Sequence, residues 1–159
     1  MATSAAALEE LYRARFGVFR DGLAGVVSSR EMARDVVQEA FARALRDRRK
    51  FRGDGSLEAW VWRIALHQAF KVRRELRVCW DEDAEPFALA DVPRDDEVRA
   101  AVRALPPRRR LIVFLRYFAD LQYDEIARVC GVSEGTVAAT LSQSHNELVK
   151  HLEPEGGRP

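Results

Sequence analysis

Apolar residues recur at helical spacing along most of the chain. Leu8, Leu11, Tyr12, Phe16 and Phe19 predict a first helix over 5–24, with Arg13, Arg15 and Arg20 between them. Gly22 and Gly25 loosen its end. Ser28-Ser29-Arg30-Glu31 reads as a capping box, in which the Ser28 hydroxyl bonds a free backbone N–H and Glu31 reaches back. The pairs Met32/Ala33, Val36/Val37, Ala40/Phe41 and Ala44/Leu45 then make one broad stripe to about Arg46. Arg34, Asp35, Gln38, Glu39, Ala42 and Arg43 fall outside that stripe.

Gly53-Asp54-Gly55 predicts a loop and Ser56 an N-cap. Leu57, Trp60, Val61, Ile64, Ala65 and Phe70 form the expected buried face of a third helix ending near Arg77. Trp62, Arg63, His67, Lys71, Arg73, Arg74 and Arg77 lie mainly elsewhere on it. Residues 78–97 hold two prolines and no sustained period, as a linker would. Val98, Val102 and Leu105 then mark a short helix, stopped by Pro106-Pro107, with Pro107 suited to the first turn of the next. That helix carries Leu111, Ile112, Phe114, Leu115 and Phe118. Asp120-Leu121-Gln122 turns the chain into a short helix with Ile126, Ala127 and Cys130. A tight turn at Gly131-Val132-Ser133 leads to a last helix with Val137, Leu141, Leu148 and Leu152. This is a helix-turn-helix pattern, whose second helix normally enters the DNA major groove.

The expected fold is therefore all-α, with two small helical domains joined by an acidic linker. Their bounds are 1–78, 79–97 for the linker and 98–153, followed by a disordered tail at 154–159.

Charge sharpens this division. The net charge of the 159 residues is +1, but residues 1–80 carry 16 Lys/Arg against 10 Asp/Glu. Residues 81–97 carry 1 against 8, and residues 98–159 carry 9 against 7. A basic first unit is followed by an acidic bridge. Within the first unit, Phe51 to Arg77 concentrates rings and cations. An unstacked nucleic-acid strand needs both, because bases stack on rings and phosphates need cations. On this pattern Trp60 belongs to the core and Trp62 is the exposed stacking candidate.

Other chemistries find little support. His67, His145 and His151 lack zinc-ligand spacing, and Cys79 and Cys130 are far apart. There is no nucleophile arrangement, phosphate-binding glycine loop or paired-carboxylate site. No metal, cofactor or catalytic activity is expected. No apolar run approaches the ~20 residues needed to span a bilayer, and the start lacks a signal peptide's pattern. A cytoplasmic protein without membrane insertion is the expectation.

Three segments carry a specific resemblance: ARDVVQEAFARAL, GSLEAWVWRIA and ALPPRRRLIVFLRYFADLQYDEIARVCGVSEGTV. In this order they resemble bacterial RNA polymerase sigma factors of the extracytoplasmic-function (ECF) group of the sigma-70 family. The resemblance covers roughly residues 8–77 and 98–152. It implies a transcription initiation factor that binds core RNA polymerase, directs it to specific promoters and assists strand opening. It implies that Asp35, Gln38, Glu39 and Arg43 face the polymerase clamp. It places Arg52, Trp62, Arg63, His67, Lys71, Arg73 and Arg74 on the melted promoter DNA. Ser133, Thr136, Gln143 and Asn146 would make the helix-turn-helix contacts. An anti-sigma factor or accessory protein is a further implied partner.

The chain departs from the family at two places. Thr136-Val137 is followed by Ala138, Ala139 and Thr140, where basic residues are usual. Phosphate neutralisation supplies much of DNA affinity, so this helix is expected to bind weakly. Leu66-His67 stands where the family often has Arg-Asn. The alternative functions are a sigma-like interaction protein that does not select promoters, and a plain helix-turn-helix repressor.

Overall fold

The computed structural model describes residues 3–75 and 96–153, and every regular element among them is helical. The helices are α1 (Ala5–Val27), α2 (Arg30–Arg46), α3 (Leu57–Glu75), α4 (Asp96–Ala104), α5 (Pro107–Tyr117), α6 (Tyr123–Cys130) and α7 (Glu134–Leu152). A single 3-10 turn, Arg48–Lys50, follows α2. The expected helix end at Arg77, most of the linker, Cys79, Trp80 and the tail lie outside the described residues. Helix α4 begins at Asp96, inside the expected linker, so Asp96 and Glu97 open the helix. Acidic residues suit the positive end of a helix dipole.

Two expectations about the first turns are corrected. Helix α1 does not loosen at Gly22 and runs on to Val27. Gly22 is buried, and a Cβ there would sit 2.6 Å from a Phe114 ring carbon and 2.8 Å from Trp62. Its missing side chain lets three elements meet. Ser28 is not the N-cap of α2. Its backbone is left-handed (φ 58°) and its N–H closes α1 on Ala24 O at 2.9 Å. An N-cap needs extended backbone, which Ser29 supplies, and the Ser29 hydroxyl accepts from Met32 N at 3.2 Å.

Helices α1, α2 and α3 pack around Phe19, Leu23, Val27, Val37, Ala40, Val61 and Trp62, all essentially inaccessible to solvent. Phe19 and Trp62 stack with centroids 4.2 Å apart and planes 16° from parallel. The second group packs around Ile112, Leu115, Leu121, Ile126 and Val137. Pro107 begins α5, as its preset φ favours. Gly131 has φ 67° at the turn after α6, and Ser133 caps α7 by accepting from Thr136 N at 3.1 Å. Leu148 is half-buried, whereas Leu152, expected to pack, is exposed.

The two groups join in one core. Phe114 of α5 meets the edge of Trp62, centroids 6.2 Å apart, and stacks on Phe118 at 5.3 Å. Around this apolar contact Arg15 of α1 donates to Glu58 of α3 and to Phe118 O, both at 3.0 Å.

Candidate nucleic-acid interface

Helix α3 is built from a three-residue start signal. Gly53 (φ 81°) and Gly55 (φ 90°) take backbone conformations that side chains disfavour, which lets the loop turn tightly. Ser56 then caps the helix, its hydroxyl accepting from Ala59 N at 3.1 Å.

The rotation of α3 differs from that read in the sequence, and it corrects one site residue. Trp62, expected to be exposed for stacking, is 0% accessible, between Phe19 and Phe114. It cannot meet a base in this arrangement. Its neighbour Trp60, assigned to the core, is half-buried instead. Trp60 leans on Phe51, centroids 5.5 Å apart. Phe70, also assigned to the core, is 36% exposed.

Trp60, Arg63, His67, Lys71 and Arg74 are spaced three, four, four and three residues apart, so they share one face of α3. Arg63, His67, Lys71 and Arg74 are exposed, and Lys71 makes a loose ion pair with Glu75 at 3.9 Å. Arg73 is half-buried and lies off this line. Two hollows flank Trp60. One, of about 240 Å³, is lined by Arg43, Asp47, Lys50, Trp60, Arg63, Ile64 and His67. The other, of about 360 Å³, is bounded by Lys50, Phe51, Arg52, Trp60 and Arg63 on one side and by Glu125, Arg128 and Val129 of α6 on the other. Arg52, His67 and Lys71 thus belong to one ring-and-cation surface. Trp60 and Lys50 are additions to it. The spacing back from His67 through Arg63 lands on Trp60 and was the available signal.

Asp35, Gln38, Glu39 and Arg43 are all exposed on the polar side of α2, opposite the buried Ala33, Val36, Val37 and Ala40. This face is separate from the hollows, except that Arg43 reaches the smaller one.

On α7, Ser133 and Thr136 are exposed but bonded to each other, with hydroxyl oxygens 2.9 Å apart. Gln143 and Asn146 are exposed beside Ala138, Ala139 and Ser142. Ser144 is buried and donates to Thr140 O at 2.7 Å. The nearby Arg109 is engaged in an ion pair with Glu147. The outward face of α7 from Glu134 to Asn146 therefore carries no Arg or Lys, as expected.

The carboxylate of Glu125 is the most constrained charge in this region. Its Oε2 accepts from Gln122 N at 2.9 Å, capping α6, and its Oε1 accepts from Ser56 N at 2.8 Å. Burial alone would push its pKa up, but the hydrogen bonds from Gln122 and Ser56 outweigh this and hold it below the usual 4.5. Arg128, one turn later, donates to Asp54 O at 2.9 Å and pairs with Asp124. Burial pushes the Cys130 thiol up to about 11, with Arg108 pulling the other way. No cluster of three or more metal-ligating side chains occurs among the described residues, and no helix among them is long and apolar enough to cross a membrane.

The chain is similar to known proteins. The model for sigma-70 region 2 matches residues 18–77, and that for sigma-70 region 4 matches residues 95–145. The RNA polymerase sigma-H factor of Pseudomonas aeruginosa is 34% identical over 148 residues, covering 80% of this chain and 77% of that protein. The ECF RNA polymerase sigma-E factor of Escherichia coli is 30% identical over 140 residues, covering 76% and 73%. Among solved structures, the sigma factor RpoE of Bartonella quintana, in complex with the anti-sigma factor NepR, has the same fold. It matches with a TM-score of 0.69 at 22% identity, covering 96% of this chain and 99% of that one. With region 2 on the rings and cations of α3, and region 4 on the helix-turn-helix of α6 and α7, the chain belongs to the ECF group of sigma-70 RNA polymerase sigma factors, which are transcription initiation factors.

Proposed function

We propose that this initiation factor holds the melted promoter strand along α3 and the loop before it. The observation that carries the reading is the shared face of Trp60, Arg63, His67, Lys71 and Arg74, continued by Arg52 and Phe51. Rings accept unstacked bases and the cations follow the phosphates. Arg73 and Arg74 extend the charge toward the end of the helix. His67 both stacks and hydrogen-bonds, which suits it to reading a base edge.

Core RNA polymerase engages the polar face of α2 through Asp35, Gln38, Glu39 and Arg43. Residues 1–78 thus bind polymerase and open DNA, and residues 98–153 contact the upstream element. Ser133, Thr136, Gln143 and Asn146 make that upstream contact weakly, because their face lacks cations. The activity is one of binding, carried out in the cytoplasm with the polymerase. An anti-sigma factor is a further partner, by analogy with the complex of the Bartonella quintana protein.

The test is Arg63→Ala with Lys71→Ala in a reconstituted holoenzyme. Promoter opening, read as permanganate reactivity of unpaired thymines, should fall while affinity for core polymerase holds. Equal loss of both would remove this face from the DNA.

A further inference from the structure

The larger hollow beside Trp60, of about 360 Å³, is walled by α3 and the loop before it on one side and by α6 on the other. Small-molecule sites fill about 300–1,000 Å³. On the α3 side stand two rings, Phe51 and Trp60, with centroids 5.5 Å apart and planes tilted by 52°. Both are only half-buried, so a flat base can stack there. Beside them are Arg52 and Arg63, both exposed, and neither makes a hydrogen bond or ion pair among the described residues. The other cations of the hollow are engaged. Lys50 pairs with Asp47 at 3.1 Å, and Arg128 bonds Asp54 O and Asp124.

A strand carries one phosphate for each base and continues at both ends. This hollow instead sets two unengaged guanidinium groups against one pair of rings, and α6 bounds its far side. Both features suit a short ligand that has more phosphates than bases. We propose that the hollow is a site for a free purine nucleoside polyphosphate, its base on Trp60 and Phe51 and its phosphates on Arg52 and Arg63. Guanidinium forks pair with phosphate oxygens two at a time, and the double ring of a purine covers more of the ring pair than a pyrimidine does. The opposite wall carries the Glu125 carboxylate, which repels phosphate and accepts hydroxyl groups, so the sugar faces that side. Because the lining comes from both sides, a bound nucleotide favours the arrangement that brings α3 and α6 together and raises the thermal midpoint. The inference goes beyond the strand reading. It shares Arg52, Trp60 and Arg63 with that reading and makes no use of Lys71 or Arg74, which do not line the hollow.

Isothermal titration of the full-length chain, without polymerase or DNA, tests this with ATP, AMP and inorganic triphosphate. ATP should bind at one site per chain. AMP lacks two of the phosphates and inorganic triphosphate lacks the base, so each should bind about tenfold more weakly or worse. Arg52→Ala and Trp60→Ala should each weaken ATP binding about tenfold, the first through a lost phosphate contact and the second through lost stacking. Arg52 is exposed, so its variant keeps the fold even if Trp60→Ala does not. Arg34 is an exposed cation of α2 outside the hollow, and Arg34→Ala should leave ATP affinity unchanged. The site is overturned by a lack of saturable ATP binding, by equal affinity for ATP and inorganic triphosphate, or by equal losses in Arg34→Ala and Arg52→Ala. The strand reading is judged separately, by promoter opening in Arg63→Ala with Lys71→Ala. Reduced opening without ATP binding sinks the nucleotide site and keeps the strand face. Saturable ATP binding with unchanged opening keeps the nucleotide site and removes the strand.

Discussion

Glu125 and Ser56, 69 positions apart in the chain, are joined by a 2.8 Å hydrogen bond from the Ser56 amide to the Glu125 carboxylate. The bond ties α6, the first helix of the helix-turn-helix, to the start of α3.

This pairing should respond to acid. The Glu125 pKa is held below 4.5, so its stabilisation is fully present above that value and is lost as pH falls through the depressed one. Asp124 opposes the shift, while Arg128 and the Arg15–Glu58 pair face the same seam. Thermal unfolding followed from about pH 6 to about pH 3 should show a steeper loss of stability in the natural protein than in Glu125→Gln. Equal slopes would remove Glu125 from that dependence.

The two neighbouring tryptophans should separate stability from binding. Trp62→Ala should destabilise by about 3–5 kcal/mol in urea unfolding, because it empties the contact among Phe19, Phe114 and Gly22. Trp60→Ala should cost less stability and weaken binding of single-stranded promoter DNA by the holoenzyme by about 1–3 kcal/mol.

That reversal shows where sequence reasoning reached and where it stopped. The helices, the cap at Ser56 and the turn at Gly131-Val132-Ser133 were legible because each depends on local chemistry. The exposure of Asp35, Gln38 and Glu39 was legible because α2 buries one clean stripe. Helix α3 is covered on a wider arc, since α6 packs against it as well as α1 and α2, and Phe114 of α5 reaches Trp62. A stripe drawn for one neighbour then picked Trp60 for the core. What buries Trp62 is Phe114, from a unit beyond the linker that no local pattern pairs with it. Gly22 looked like a helix end for the same reason. Ser28 and Ser29 are both competent caps by composition, and only backbone conformation separates them.

Salt dependence reports the phosphate contacts. Arg63→Ala and Lys71→Ala should each reduce the slope of log affinity against log salt for single-stranded DNA by about 0.7. The slope comes from titrations of the holoenzyme at several salt concentrations, and an unchanged slope would mean that neither residue meets a phosphate.

The polymerase face should behave independently. Asp35→Ala with Gln38→Ala should lower affinity for core polymerase about tenfold, with stability changed by no more than about 0.5 kcal/mol, since both side chains are exposed. Competition binding and urea unfolding measure the two quantities, and unchanged affinity would remove this part of α2 from the interface.

The most direct measurement is transcription from a genomic fragment library, using the purified protein with core RNA polymerase and sequencing of transcript starts. The account predicts starts that share a motif where α3 meets the opened strand, with a weak upstream block matching the uncharged face of α7. Stable polymerase binding without any starts beyond those of core polymerase alone would contradict it.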